Sequence, residues 1–92
     1  MQQRHHNRDQ YFHELANTSR KYLIPYILQA HPIEQGMKVL EIGCGDGGNL
    51  LPFSESGCDT LGIDISSGKI ENARKLFAAN NACGSFIIKD IF

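Results

Sequence analysis

The chain has 92 residues with nine basic and ten acidic side chains, and its formal net charge of -1 gives no electrostatic sign of binding to nucleic acid or anionic lipid. Its three cysteines form an odd set without a Cys-x-x-Cys pair, which excludes a dense disulfide framework and favours reduced thiols. No apolar run approaches the roughly 20 residues that span a bilayer, and the polar amino terminus lacks a signal-peptide pattern. We therefore expect one small cytoplasmic domain.

The first third of the chain predicts a helical lead-in. Residues 9–30 carry apolar side chains at helical spacing, in one or two pieces. Thr18 or Ser19 could cap a second piece, because a hydroxyl oxygen can accept from an orphan N–H in the first turn. Pro25 predicts a kink or a restart, since proline lacks an N–H group. Pro32 predicts the end of the helix, because the residue before a proline is disfavoured in the α region.

The rest of the chain alternates strands with helices. In chain order the pattern predicts a strand at 38–42, a helix at 49–56, a strand at 60–63, a helix capped by Ser66 or Ser67, and a strand at 86–88. The apolar side chains of the second helix share one face at helical spacing: Ile70, Ala73, Leu76 and Phe77. Asn80 and Asn81 predict the end of that helix.

This order is the βαβαβ half of a doubly wound parallel sheet. The predicted fold class is therefore α/β and Rossmann-like, truncated after the third strand, with an N-terminal helical lead-in. The predicted domains are the lead-in at 1–35 and a ligand-binding βαβαβ portion at 36–92. Because the strands are almost continuously apolar, we expect helices over both faces of the sheet. The carboxyl ends of the strands then share one edge, where ligands bind in open α/β sheets.

Three features at that edge indicate a nucleotide-like ligand. The run Gly43-Cys44-Gly45-Asp46-Gly47-Gly48 follows the first strand, and its glycines let the backbone turn sharply and approach a ligand. Asp64 ends the second strand, where a carboxylate can accept both hydroxyl protons of a ribose. Asp90 follows the third strand, where it can meet an adenine edge. Asp46 is interpreted as a turn former and not as a catalytic base.

The glycine run alone leaves two ligand classes open. Gly43, Gly45 and Gly48 also satisfy the G-x-G-x-x-G pattern of dinucleotide sites. Glu41, two positions before Gly43, favours a cationic ligand because its carboxylate would repel a pyrophosphate. An NAD(P)-binding oxidoreductase domain and a non-catalytic module for adenosyl ligands are the alternatives. Each acid taken singly could also be a solvated strand end or a helix cap.

Three runs of the sequence resemble one enzyme family. Val39-Leu40-Glu41-Ile42-Gly43-Cys44-Gly45-Asp46-Gly47-Gly48 closely resembles motif I of class I S-adenosylmethionine-dependent methyltransferases, an acid, one apolar residue and then G-x-G-x-G. Leu61-Gly62-Ile63-Asp64-Ile65-Ser66 resembles the second motif, and Ile87-Ile88-Lys89-Asp90-Ile91 resembles the third. The resemblance covers residues 38–91, with the three motifs in the family's order.

The resemblance implies methyl transfer from S-adenosylmethionine, which leaves as S-adenosylhomocysteine. It implies the following ligand contacts: Glu41 near the methionine amino group, Gly43, Cys44 and Gly45 around the methionine moiety, Asp64 on the ribose, Ile65 on the adenine face, and Asp90 with the Ile91 N–H on the adenine edge. It implies no metal and identifies no catalytic residue.

The sequence stops just after the third motif, before the strands and loops that form the acceptor site in the resembled family. We therefore expect the chain to be the amino-terminal, cofactor-binding part of a longer methyltransferase whose acceptor is a small molecule. In that family the first strand lies beside the fourth. Without the fourth strand its edge is unpaired, so self-association through this edge is also expected.

Overall fold

A computed structural model of the chain describes residues 8–91. In chain order its elements are helix α1 Arg8–Thr18, a π-helical segment Ser19–Leu23, helix α2 Ile24–Leu28, strand β1 Lys38–Ile42, helix α3 Leu51–Glu55, strand β2 Asp59–Asp64, helix α4 Ser67–Ala79 and strand β3 Ser85–Ile88. The predicted α/β fold, a βαβαβ unit after a helical lead-in, is confirmed. The domain boundary between residues 35 and 36 stays a prediction, and residues 1–7 and 92 of those domains lie outside the described range.

The three strands form a parallel sheet in the order β1-β2-β3. Glu41 of β1 is level with Gly62 of β2, which is level with Phe86 of β3. Because the strands are parallel and in register, the segments that follow them leave the sheet at the same edge. The fold therefore brings the glycine loop, Asp64 and the residues after β3 to that edge.

The core lies between the helices and one face of the sheet. Its buried side chains are Phe12, Ala16, Cys44, Leu50, Leu51, Ile70, Ala73, Leu76, Phe77 and Phe86. Phe77 packs edge-to-face on both Phe12 and Phe86, with ring centroids 6.2 and 4.8 Å apart, a preferred aromatic geometry. The predicted apolar face of α4 is buried in full, and Ser66 caps this helix by accepting from the N–H of Lys69 at 3.3 Å.

The prediction that helices cover both faces of the sheet is wrong for residues 8–91. Leu40, Ile42 and Ile87 are 56%, 53% and 43% exposed on the face opposite the core. The strand order explains the difference: each crossover steps to the next strand in the same direction, so right-handed connections put their helices on the same side. No described strand pairs with the outer edge of β1, and self-association through that edge stays a prediction. Across this range no helix has both the length and the hydropathy needed to cross a bilayer.

The predicted cap at Thr18 or Ser19 is also wrong, because the helix does not break there. Thr18 has helical φ and ψ of -63° and -42°, and the N–H of Ile24 donates to the carbonyl of Ser19, five residues back. This wider turn directly precedes Pro25, which lies in the first turn of α2. The backbone stays helical through Leu23 and Ile24, so the chain accommodates Pro25 without a break between helices. The helix also ends at Leu28, two residues before the predicted end.

Helix α3 begins at Leu51, two residues later than predicted. Residues 48–50 form a turn instead, closed by a hydrogen bond of 3.0 Å from the N–H of Leu50 to the carbonyl of Gly47. Pro52 lies in the first turn of the helix, where its missing N–H costs no intrahelical bond. The glycine loop is consequently longer and less helical than the sequence pattern indicates.

Helix α1 packs directly on the end of this loop. A Cβ added to Gly48 would stand 2.8 Å from both Leu15 Cβ and the Phe12 carbonyl oxygen. We therefore expect Gly48→Ala to lower the free energy of unfolding by about 1–3 kcal/mol, because it overpacks a closed contact. Urea unfolding followed by circular dichroism measures this change.

Gly68→Ala is the matched control for this substitution. Gly68 lies in α4, where an added Cβ would meet only Ser66 Oγ at 4.0 Å. Alanine there should leave stability unchanged or raise it by up to about 1 kcal/mol, through its higher helix propensity. Equal effects of the two substitutions would contradict the close contact between α1 and the loop.

Candidate functional site

The backbone of the loop after β1 is open on one side. Gly43 and Gly45 have φ values of +75° and +58°, in the left-handed region that favours glycine. A Cβ added to either residue would meet no atom of the described chain within 4 Å. The protein's own packing therefore does not fill the space beside these two residues, and a ligand can approach their backbone closely.

The first three N–H groups of the loop are bonded to β2. The N–H groups of Gly43 and Cys44 both donate to the carbonyl of Ile63, at 2.7 and 3.1 Å. The N–H of Gly45 donates to Asp64 Oδ2 at 2.9 Å. A dinucleotide site uses loop N–H groups to hold a pyrophosphate. Here three of these donors are already bonded within the protein, which disfavours a diphosphate ligand.

Asp64 links the two loops at the edge of the sheet. Its Oδ2 accepts from Gly45, and its Oδ1 accepts from the N–H of Ser66 at 2.9 Å. The bond from Ser66, together with the bond from Gly45 and the charge of Lys69, holds the pKa of Asp64 below its ordinary value although burial acts the other way. The carboxylate is therefore charged at neutral pH, and each oxygen keeps a lone pair that can accept from a ligand hydroxyl.

Glu41 carries the second carboxylate of the site. Its Oε2 accepts from the side-chain amide of Asn49 at 3.3 Å, whereas its Oε1 is buried with no hydrogen-bond partner among residues 8–91. Burial raises the pKa of Glu41, and the hydrogen bond from Asn49 partly opposes this effect. A buried carboxylate oxygen without a donor is unfavourable, so this position fits a ligand that brings a cationic N–H group.

Cys44 lies between the two acids. Burial, followed by the charges of Glu41 and Asp64, raises the pKa of its thiol to about 11. The thiol is therefore protonated at neutral pH and is not a nucleophile. Its Sγ stands 2.6 Å from where a Cβ of Gly62 would lie, so glycine at that position makes room for it in the core. Any contact of Cys44 with a ligand must then come from its backbone.

The remaining predicted site residues lie at the outer rim of the same edge. Ile65 is 68% exposed directly after Asp64, and Ile91 is 42% exposed. The N–H of Lys89 donates to the carbonyl of Asp64 at 3.0 Å and extends the β2–β3 pairing toward Asp90. Their place near Asp64 agrees with an adenine subsite, and their contacts with adenine stay predictions.

Asn49 is the site residue that the sequence pattern did not indicate. The pattern placed it in the first turn of a helix, where its side chain would face solvent or cap a turn. In the structure it precedes α3, and its amide reaches back to Glu41 across the loop. The available signal was a lone polar residue between the last glycine of the loop and the buried Leu50 and Leu51.

A separate concavity of about 840 Å³ lies at the opposite end of the sheet. Residues at the amino ends of the strands line it: Lys38, Val39, Leu40, Cys58, Asp59, Thr60, Leu61, Cys83, Gly84 and Ser85. It contains neither the glycine loop nor Glu41 or Asp64. The candidate site is the open edge at the carboxyl ends.

The geometry of the carboxyl edge agrees with a comparison to known proteins. A family model described as a methyltransferase domain matches residues 4–88. The chain belongs to this methyltransferase domain family. The match spans nearly the whole sequence. It includes the first two motifs and residues 87–88 of the third, so the family resemblance is confirmed.

Three proteins illustrate the relatives of this methyltransferase domain. It is 40% identical over 55 residues to the mRNA cap guanine-N(7) methyltransferase of Saccharomyces cerevisiae, a match that covers 59% of this chain and 13% of that protein. It is 52% identical over 44 residues to the aklanonic acid methyltransferase DauC of a Streptomyces species, and this match covers 44% of this chain and 20% of that protein. The structure of PKMT2 from Rickettsia typhi in complex with AdoHcy superposes with a TM-score of 0.61 at 35% identity. This superposition covers 65% of this chain and 12% of that chain. The domain thus spans a fifth or less of each relative.

The raised pKa of Glu41 predicts that its effect on stability depends on pH. A raised pKa in the folded protein means that charging Glu41 lowers stability as the pH rises above its ordinary value of 4.5. We therefore expect Glu41→Gln to raise the free energy of unfolding at about pH 7, with little change at about pH 4, where the carboxyl group is protonated in both states. Urea unfolding at the two pH values measures the difference.

The exposed Glu14 of α1 provides a control, and Glu14→Gln should change stability little at either pH. If Glu41→Gln instead destabilised the domain at neutral pH, Oε1 could not be the partnerless buried oxygen described above.

Proposed function

We propose that this domain binds S-adenosylmethionine at the carboxyl edge of its sheet and forms the cofactor-binding part of a methyltransferase enzyme. The observation that carries the proposal is a buried Glu41 oxygen with no donor among residues 8–91, beside a loop whose first three N–H groups are bonded to β2. Such a site favours a cation and disfavours a diphosphate. S-adenosylmethionine carries an ammonium and a sulfonium group, and no phosphate.

Each residue at the edge has a role toward this cofactor. Glu41 Oε1 accepts from the ammonium group, and the open backbone at Gly43 and Gly45 lies along the methionine moiety. Asp64 accepts from the ribose hydroxyls with the lone pairs that its two loop bonds leave free. The exposed side chain of Ile65 covers one face of the adenine. Asp90 and the Ile91 N–H meet the adenine edge.

The cofactor supplies an electrophilic methyl group on its sulfonium sulfur. The part played by this chain is to hold the adenosyl and methionine ends so that the methyl group faces the acceptor. Alignment of reacting groups can supply on the order of 7–11 kcal/mol of a barrier. We assign no catalytic base to residues 8–91, because Glu41, Asp64 and Asp90 hold the cofactor and Asp46 is interpreted as a turn former.

We further propose a small-molecule acceptor and a cytoplasmic location. The net charge of -1 supplies no basic surface for a nucleic-acid acceptor, and the three cysteines are free thiols, as is usual in a reducing compartment. The names of the relatives differ in acceptor, one a guanine of an mRNA cap and the other aklanonic acid, so they do not agree on one. We also propose that the unpaired edge of β1 supports self-association.

Calorimetry with Asp64→Ala tests the proposed cofactor. The wild-type chain should bind S-adenosylhomocysteine and S-adenosylmethionine, and should not bind NAD. Asp64→Ala should weaken adenosyl binding by about 1–3 kcal/mol, because the ribose hydroxyls lose a charged acceptor. Asp59→Ala is the matched control, since Asp59 is an exposed acid at the far end of the same strand. The proposal would be overturned if the wild-type chain bound NAD and bound neither S-adenosylhomocysteine nor S-adenosylmethionine.

A further inference from the structure

The hydrogen bond between Asn49 and Glu41 gives the two carboxylate oxygens different surroundings. Oε2 accepts from Asn49 Nδ2 at 3.3 Å, while Oε1 is buried and has no donor among the described residues. A carboxylate has two equivalent oxygens and rotates about its last bond. A donor fixed on one of them therefore determines where the other one points. The geometry makes Asn49 the group that selects the orientation of the free oxygen.

Asn49 is itself held by the helical lead-in. Its carbonyl accepts from Ser19 Oγ at 3.2 Å, and Ser19 is only 1% exposed. Ser19 is the first residue of the π-helical segment. Gly48, the neighbour of Asn49, is in close contact with Leu15 and the carbonyl of Phe12. Residues of the helical lead-in, which lies outside the three sequence motifs, thus contact the backbone of both Gly48 and Asn49.

We propose that Asn49 is a positioning residue that aims Glu41 Oε1 at the ammonium end of the adenosyl ligand, with Ser19 of the π-helical segment holding Asn49 in place. This inference rests on the proposed function of the site. It assigns to the lead-in a task beyond packing, because one hydrogen-bonded path joins Ser19, Asn49 and Glu41. The adenosine end does not depend on this path, since Asp64 is held separately by Gly45 and Ser66.

Two ligands separate this task from a general structural role. S-adenosylhomocysteine has an amino-acid end, whereas 5′-methylthioadenosine carries the same adenosine and thioether without it. Loss of a bond that only shapes the loop would weaken both ligands alike. Loss of the bond that orients Glu41 should weaken only the ligand that brings an ammonium group.

The test is calorimetry of both ligands with the wild-type chain, Asn49→Ala, Ser19→Ala and Asn80→Ala. We expect Asn49→Ala to weaken S-adenosylhomocysteine about tenfold and 5′-methylthioadenosine less than about twofold. Ser19→Ala should show a smaller loss with the same ligand dependence. Asn80→Ala removes a comparable amide bond, to the carbonyl of Leu76 at 2.7 Å, at the far end of α4, and should affect neither ligand. Asn49→Ser, which keeps a small polar turn residue but is too short to reach Glu41, takes the place of Asn49→Ala if that variant does not fold.

Equal losses for the two ligands, or no loss for either, would overturn the positioning role and leave the proposed function intact. A wild-type chain that binds neither ligand would overturn the proposed function and the inference with it.

Discussion

The inward direction of the loop N–H groups determines what this edge of the sheet can bind. The N–H groups of Gly43 and Cys44 are bonded to Ile63 and that of Gly45 to Asp64, so these three donors are not available to an anionic ligand. The acidic groups in and beside the loop are Glu41, Asp46 and Asp64. A Rossmann-like loop is commonly a place for anions, because free N–H groups at a helix start attract them. In the proposed function, the same glycine-rich backbone surrounds the cationic end of the cofactor.

The rest of the fold holds this arrangement in place. Asp64 bridges the loops after β1 and β2 with its two oxygens, and the bonds from Gly43 and Cys44 to Ile63 also hold the first loop on β2. The edge-to-face rings of Phe12, Phe77 and Phe86 pack α1 and α4 against the sheet. The burial of Glu41 costs stability, because one of its oxygens lacks a donor among residues 8–91. Conflict between local stability and ligand binding is typical of functional sites.

The parts of the structure that local chemistry controls could be predicted from the sequence. Strand β1 is an apolar run that ends at a glycine, and its bounds were predicted without error. The cap of α4 at Ser66 and its buried face follow from helical spacing and from one hydroxyl. The glycine run and the acids after each strand were enough to predict which residues would gather at one edge. Parallel pairing in register then brought them together.

The parts that depend on distant contacts could not be predicted in this way. Ser19, in the π-helical segment, forms a hydrogen bond to Asn49, thirty residues later. The spacing of apolar residues in a helix does not indicate such a bond. Leu40 and Leu61 are as apolar as buried strand residues, so the pattern did not show that their face is uncovered. The role of Asn49 follows from a turn that displaces the start of α3. No local propensity distinguishes that turn from a first helical turn.

A crystal structure of the chain with S-adenosylhomocysteine is the most direct measurement of the central claim. It should show the ligand's amino nitrogen within about 3.2 Å of Glu41 Oε1 and its ribose hydroxyls within hydrogen-bond distance of Asp64. A ligand seated elsewhere on the sheet, or an amino group turned away from Glu41 with that carboxylate still partnerless, would contradict it.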